Sequence, residues 1–321
     1  MPDASAEVEA GPAGDPTMRP VRCAVRSLDR SEPMVGTASH VRRWLLVEQP
    51  GPWGRDAILQ SRLPIGVARP LAARAKAAGV RVLLVRRPTW EHREGPHCVH
   101  LASTAVADRG WVERIDVNDP GALLDLPFER LDDVEPPGVG EPGPHPLLLV
   151  CTHGKHDACC ANEGRPVIRS LVAAGVPDVW ETSHVGGDRF AANVVALPWG
   201  VYLGRVKPEE APAVAEDLRA GLVDLDHYRG RSCHSSVVQA ADLAVRRATG
   251  ERRVLAVQVR GRVERTPIGD GREQLARVPL SVAGERWVAE VRRKRGEPAQ
   301  LTCGSEPSSP WVVEVVRLQR A

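Results

Sequence analysis

The hydrophobic positions fall into two passes of the same order, after which the rhythm changes. Trp44-Leu45-Leu46-Val47 is an apolar run of strand length, and the segment from Gly51-Pro52-Trp53-Gly54 onward turns the chain. Val67, Leu71, Ala75 and Ala78 recur at helical spacing, and Gly79 stands where a helix stops. Strands are expected at 80–85, 98–103 and 111–117, with a short helix after Asp119-Pro120. This is a β-α-β-β-β-α pass. Residues 132–145 are rich in Pro and Gly and have no period, so they read as a linker. The order then returns: a strand at 147–150, a helix from Arg165-Pro166 to Gly175, strands at 179–182, 193–197 and 201–206, and a helix at 209–222. A further helix at 236–249 carries Val238, Ala241, Val245 and Ala248 on one stripe. Short alternating bursts around Val254, Val278, Trp287 and Trp311 close the chain, the signature of an antiparallel sheet.

Two successive passes predict two copies of one α/β unit, each resembling the four-stranded thioredoxin layout. The expected organisation is a disordered tail at 1–20, a degenerate unit at 21–131, the linker at 132–145, a second unit at 146–235, and a helix with a small β unit at 236–321. In this scheme the Gly51–Ala57 turn of the first unit, which has no cysteine, occupies the place of the Cys151–Cys160 loop in the second. Trp53 is expected to pack between the units.

Composition narrows the function. With 43 basic and 41 acidic residues the formal charge is +2, which gives no electrostatic footprint for nucleic acid. Seven cysteines, an odd number spread unevenly over 321 residues, suit ligand or redox roles in a reducing compartment better than a disulfide framework. The first twenty residues lack the basic and apolar blocks of a signal peptide, and no apolar stretch approaches membrane-spanning length. A cytoplasmic protein with no membrane attachment is the expectation.

The chemistry is concentrated in Cys151–Cys160, CTHGKHDACC, and in Ser183–Asn193, SHVGGDRFAAN. Cys151 ends a predicted strand and Cys160 stands near the following helix start, where peptide dipoles favour a thiolate. The Cys-x8-Cys spacing is long for a zinc knuckle and suits a loop around something larger than one ion. His153 and His156 are expected as exposed loop residues. Arg189 and Asn193 would orient the loop, and Tyr228–Ser232 reads as a basic surface turn fit for an acidic partner. Cys23, Cys98 and Cys233 are read as structural, and Cys303 as structural or reaching the site.

These segments, with EPMVGTA at Glu32, WLLVEQPGPWGRDA at Trp44, YRGRS at Tyr228 and the C-terminal Thr302-Cys303-Gly304, resemble the sucrase/ferredoxin-like family. The resemblance implies a thioredoxin-like ferredoxin whose [2Fe-2S] cluster is held by two cysteines and two histidines, the latter in an H-x-G-G-H motif. Cys151 and Cys160 fall on the cysteine ligands and His184 on the first histidine. Asp188 replaces the second, so the fourth ligand is Asp188 or one of Cys159, His153, His156 and Cys303. A carboxylate there is a harder donor and adds negative charge, which lowers the reduction potential. The expected activity is one-electron transfer with a reductase or acceptor protein, or redox sensing. The alternatives are thiol exchange through Cys159 or Cys160, and a zinc-binding or metal-free module. Sucrose cleavage has no support, because no paired-carboxylate arrangement can be picked out.

Overall fold

A computed structural model describes residues 22–89, 96–269 and 271–321; the expected tail at 1–20 lies outside them. Among the described residues the first pass consists of β1 (Arg43–Glu48), α2 (Ile65–Ala77), β2 (Val80–Arg86), β3 (His97–Ser103) and β4 (Trp111–Val117), followed by a 3₁₀ turn at Pro120–Leu124. Before it stands a helix that the pattern did not reveal, α1 (Cys23–Asp29). Its two turns are too short for a period to show. The Pro/Gly-rich stretch contains a two-residue strand, β5 (Glu141–Pro142), paired with β4. The second pass is β6 (Leu147–Cys151), α3 (Ala158–Ala173), β7 (Val179–Thr182), β8 (Val194–Leu197), β9 (Val201–Leu203) and α4 (Ala211–Arg219), continued by β10 (Tyr228–Arg231).

All ten strands form one sheet in the order β10-β9-β8-β6-β7-β2-β1-β3-β4-β5. The order within the first pass, β2-β1-β3-β4, is repeated in the second as β7-β6-β8-β9. In each, the first two strands are parallel and the others antiparallel. The passes meet where β2 pairs with β7 antiparallel. Strands buried on both faces need unbroken apolar runs, and β1 and β6 supply them. Alternation then assigns the faces. Leu45 and Val47 pack with α2, Leu148 and Val150 with α3 and α4, while Trp44, Leu46, Leu147, Leu149 and Cys151 share the opposite face.

The C-terminal part contains α5 (Ser236–Thr249) and a second, antiparallel sheet of β11 (Gln258–Val259), β12 (Glu264–Ile268), β13 (Glu273–Val282), β14 (Glu285–Arg295) and β15 (Trp311–Arg320). The apolar stripe of α5 packs on the inward residues of β13 and β14. The loop between β14 and β15 reaches back to the start of α3.

Candidate metal centre

The end of β6 and the start of α3 build the site. Asp157 caps α3 by accepting the Cys159 N–H at 2.7 Å, so the helix begins at Ala158, well before the expected Arg165-Pro166. A start at Arg165 would put Pro166 in the first turn, where proline is tolerated. In the structure it lies inside the helix. The early start puts Cys159 and Cys160 in the first turn, with their sulfurs in different clusters. Gly164, one turn later, lets the helix lie against the Cys151 carbonyl, with which an added Cβ would collide.

The 183–193 loop supplies the rest. Gly186 and Gly187 have φ of +96° and +82°, and a Cβ on Gly187 would strike the Arg229 guanidinium. Arg229, fully buried, donates to the Gly186 carbonyl at 3.0 Å and to Asn193 Oδ1 at 2.7 Å, and Asn193 donates to the Gly187 carbonyl at 2.9 Å. Burial holds the Arg229 pKa down to about 10. The loop is therefore braced from beneath.

Cys151 Sγ, Cys160 Sγ and a ring nitrogen of His184 lie within 4.8 Å of one another. The Cys160 thiol donates to Asp188 Oδ1 at 3.2 Å and the Thr302 hydroxyl to Oδ2 at 3.0 Å. His184 Nδ1 is buried and makes no aligned hydrogen bond, although Asp188 Oδ1 is 2.8 Å away. The Cys151 thiol is pulled well below its usual pKa by the hydrogen bond with Cys160, against burial and with help from His184. The same hydrogen bond, burial and the Cys151 charge push Cys160 up. Burial lowers the His184 pKa, but Asp188 and Cys151 outweigh it and raise it to about 9. These shifts favour the charged forms of Cys151, His184 and Asp188.

The four residues expected as ligands, Cys151, Cys160, His184 and Asp188, are thus neighbours. Other expectations are corrected. His153 is buried, not an exposed loop residue. Its Nε2 lies 2.7 Å from the Gly54 carbonyl, and its Nδ1 accepts the His184 N–H at 3.3 Å. One nitrogen donates and the other accepts, as in neutral imidazole, and burial lowers its pKa. Trp53 meets the His153 ring edge-on at 5.9 Å, so the glycine-rich turn of the first pass abuts the cysteine loop of the second. His156 stacks on His184 at 3.7 Å. Tyr228–Ser232 is no surface turn: Tyr228, Arg229, Arg231 and Ser232 are all buried. Arg189 pairs with Glu32 at 2.7 Å.

Cys159 and Cys303 do not join the first cluster. With Cys23 they form a second, in which Asp157 also takes part. The hydrogen bond with Cys23 lowers the Cys159 pKa to about 7 against burial. His153 as a brace, the burial of Arg229 and this second cluster were not legible in the sequence, because each depends on partners far away in the chain. The repeated Cys159-Cys160 pair was its one local signal.

A mixed α/β protein with a Cys/His/Asp cluster at a strand-to-helix junction is the class that fold and site define. The chain belongs to the sucrase/ferredoxin-like family, whose model matches residues 34–230. It is similar to the "Altered inheritance of mitochondria protein 32" of Meyerozyma guilliermondii, 33% identical over 95 residues that cover 26% of this chain and 34% of the relative. The protein of the same name from Debaryomyces hansenii is 34% identical over 95 residues, 26% of this chain and 35% of the relative. The chain thus spans about a third of the length of these relatives. No solved structure matches.

Proposed function

We propose that the chain is a thioredoxin-like ferredoxin that holds a [2Fe-2S] cluster through Cys151, Cys160, His184 and Asp188 and exchanges single electrons with a partner protein. The observation that carries the reading is the convergence of two buried sulfurs and a ring nitrogen of His184 within 4.8 Å of one another. Two thiolates and an imidazole are the donor types that iron–sulfur centres use. The equal strand order of the two passes supports a duplicated thioredoxin-like unit in which only the second carries the donors. When bound, the cluster supplies a one-electron couple.

The chain's own residues then have distinct tasks. Cys151 and Cys160 donate sulfur from positions fixed by β6 and α3. Asp188, 2% exposed, is oriented by Thr302, and the buried Arg229 cation, which feels the charge of Asp188, offsets that of an anionic centre. His153 fixes the backbone at His184. The sulfurs and Asp188 are sealed, whereas the His184 side chain keeps 21% exposure and stacks on the half-buried His156. The imidazole edge is therefore the face at which a redox partner exchanges electrons. Among the described residues no helix is long and apolar enough to cross a membrane. Seven free cysteines suit a reducing compartment such as the cytoplasm.

Anaerobic purification tests the reading. The expected product is red-brown, with about two irons and two sulfides per chain and a paramagnetic reduced state. Cys151→Ser, Cys160→Ser and His184→Ala each abolish the colour, and Asp188→Ala shifts the potential or loses iron. A colourless protein containing zinc alone would overturn it.

A further inference from the structure

We propose that Cys23, Cys159 and Cys303, with Asp157, form a second metal site for a thiophilic divalent ion of the zinc class, distinct from the Cys151/Cys160 centre. The ion would clip α1 and the β14–β15 loop to the first turn of α3. This inference does not depend on what the first centre holds.

Geometry carries it. The three sulfurs form a nearly equilateral triangle, with Cys23 to Cys159 at 3.6 Å, Cys159 to Cys303 at 3.4 Å and Cys303 to Cys23 at 3.5 Å. A tetrahedral ion with metal–sulfur bonds of about 2.3 Å separates its sulfurs by about 3.8 Å, so the triangle needs to open by only a few tenths of an ångström. The Asp157 carboxylate lies 3.7 Å and 4.0 Å from Cys23 Sγ, and all four donors fall within 4.8 Å of one another, which completes a closed four-donor set. Three thiolates, a carboxylate and a divalent cation carry the formal charge of a four-cysteine zinc site.

The surroundings are those of a metal site. Cys23 and Cys159 are fully buried, and Cys303 is partly covered. The Cys23 N–H donates to Cys303 Sγ at 3.4 Å, while Asp157 accepts the N–H groups of Cys159 at 2.7 Å and Cys303 at 2.6 Å. Such bonds orient ligands from outside the coordination sphere. A disulfide explains the arrangement less well. It would pair two sulfurs, strand the third, and require a sulfur–sulfur bond of about 2.05 Å. Cys23 and Cys303 are 280 residues apart, so the site joins distant parts of the chain.

Binding involves no change of oxidation state. Three thiol protons leave to solvent as three metal–sulfur bonds form, and the ion stays divalent. The two sites share walls: Cys159 precedes Cys160, and Thr302, which orients Asp188, precedes Cys303. The clip would thus fix one wall of the first centre.

The test uses the full chain with Cys151→Ser and His184→Ala, which remove two of the four donors of the first centre, kept anaerobic and titrated with Co²⁺. We expect one Co²⁺ per chain with sulfur-to-cobalt charge-transfer absorption, displaced by Zn²⁺. Cys303→Ser, a change in a loop, should weaken binding by at least about tenfold. A titration without that absorption, absorption that survives both Cys159→Ser and Cys303→Ser, or an anaerobic mass lower by two hydrogens through a disulfide among these cysteines would each overturn the proposal. Should the double variant fail to fold by circular dichroism, zinc content of the otherwise native chain decides. Loss of one zinc per chain on Cys303→Ser upholds the site, and an unchanged zinc content refutes it.

Discussion

His100 shows how a single buried side chain links sequence position to pH response. It stands in β3, 1% exposed, with its ring edge-on to Trp180 at 5.6 Å. Burial, with the nearby Arg114 and Arg87 charges, lowers its pKa from 6.5 to about 4. The unfolded chain therefore takes up this proton first as pH falls below 6.5, and the native state loses stability until the folded imidazole also protonates near pH 4. A shift of this size corresponds to about 3 kcal/mol. We expect a melting temperature that falls between pH 6.5 and 4, and a shallower fall in His100→Phe, which keeps the ring and removes the titration. An unchanged acid limb in that variant would refute the assignment. At this scale Cys151, Cys160, His184 and Asp188, which the family resemblance singles out, come from two short segments that the fold makes neighbours. Arg229, expected in a basic surface turn, is instead buried and enclosed by Thr37, Gly186 and Asn193.

Among the elements, α3 has the tightest geometric demands. Its cap at Asp157 fixes where the cysteines stand, and Gly164 fixes how closely the helix approaches β6. Gly164→Ala has a favourable helix propensity, yet its methyl group must displace the Cys151 carbonyl. Overpacking of this kind costs about 1–3 kcal/mol and should outweigh the propensity gain of about 1 kcal/mol. The expected result is a destabilised protein that also binds metal at the first centre less tightly. Chemical denaturation together with metal content measures both. Equal stability in Gly164→Ala would show that the helix can shift freely. Gly187→Ala faces a similar clash with Arg229 and a left-handed backbone besides, so the loop that carries Asp188 should be displaced. Element types were largely legible because apolar runs and helical stripes are intrinsic to each segment. The start of α3 was not, since a proline at a plausible first-turn position outweighed a cap whose bond appears only in three dimensions.

For the whole molecule, the decisive feature is the seam between the two passes. β2 and β7 pair over a short register, Val85–Thr182 and Arg86–Glu181. Side chains reinforce this short ladder. Arg86 donates to Glu181 Oε2 at 2.6 Å and 3.1 Å and to the Gly51 carbonyl at 3.0 Å, and lies over the Trp53 ring at 4.5 Å. Glu181 also accepts the Thr152 hydroxyl at 2.6 Å, so the seam is tied to the cysteine loop. No pattern within either pass could indicate that the two would share a sheet, because the seam residues resemble ordinary strand ends. Arg86→Ala removes one member of a largely buried ion pair and should cost about 2–4 kcal/mol, more than an exposed pair would. Because Thr152 and Gly54 adjoin the site on this side, the effect should extend to the Cys151/Cys160/His184 group. Hydrogen exchange would show faster exchange at the amides of Ser183 and Thr152, which bond to the Leu84 and Thr182 carbonyls across and beside the seam. If exchange there stayed slow while global stability fell, Arg86 would act through the first pass alone, and the coupling of the two passes at the cysteine loop would have to reside in His153 and Trp53.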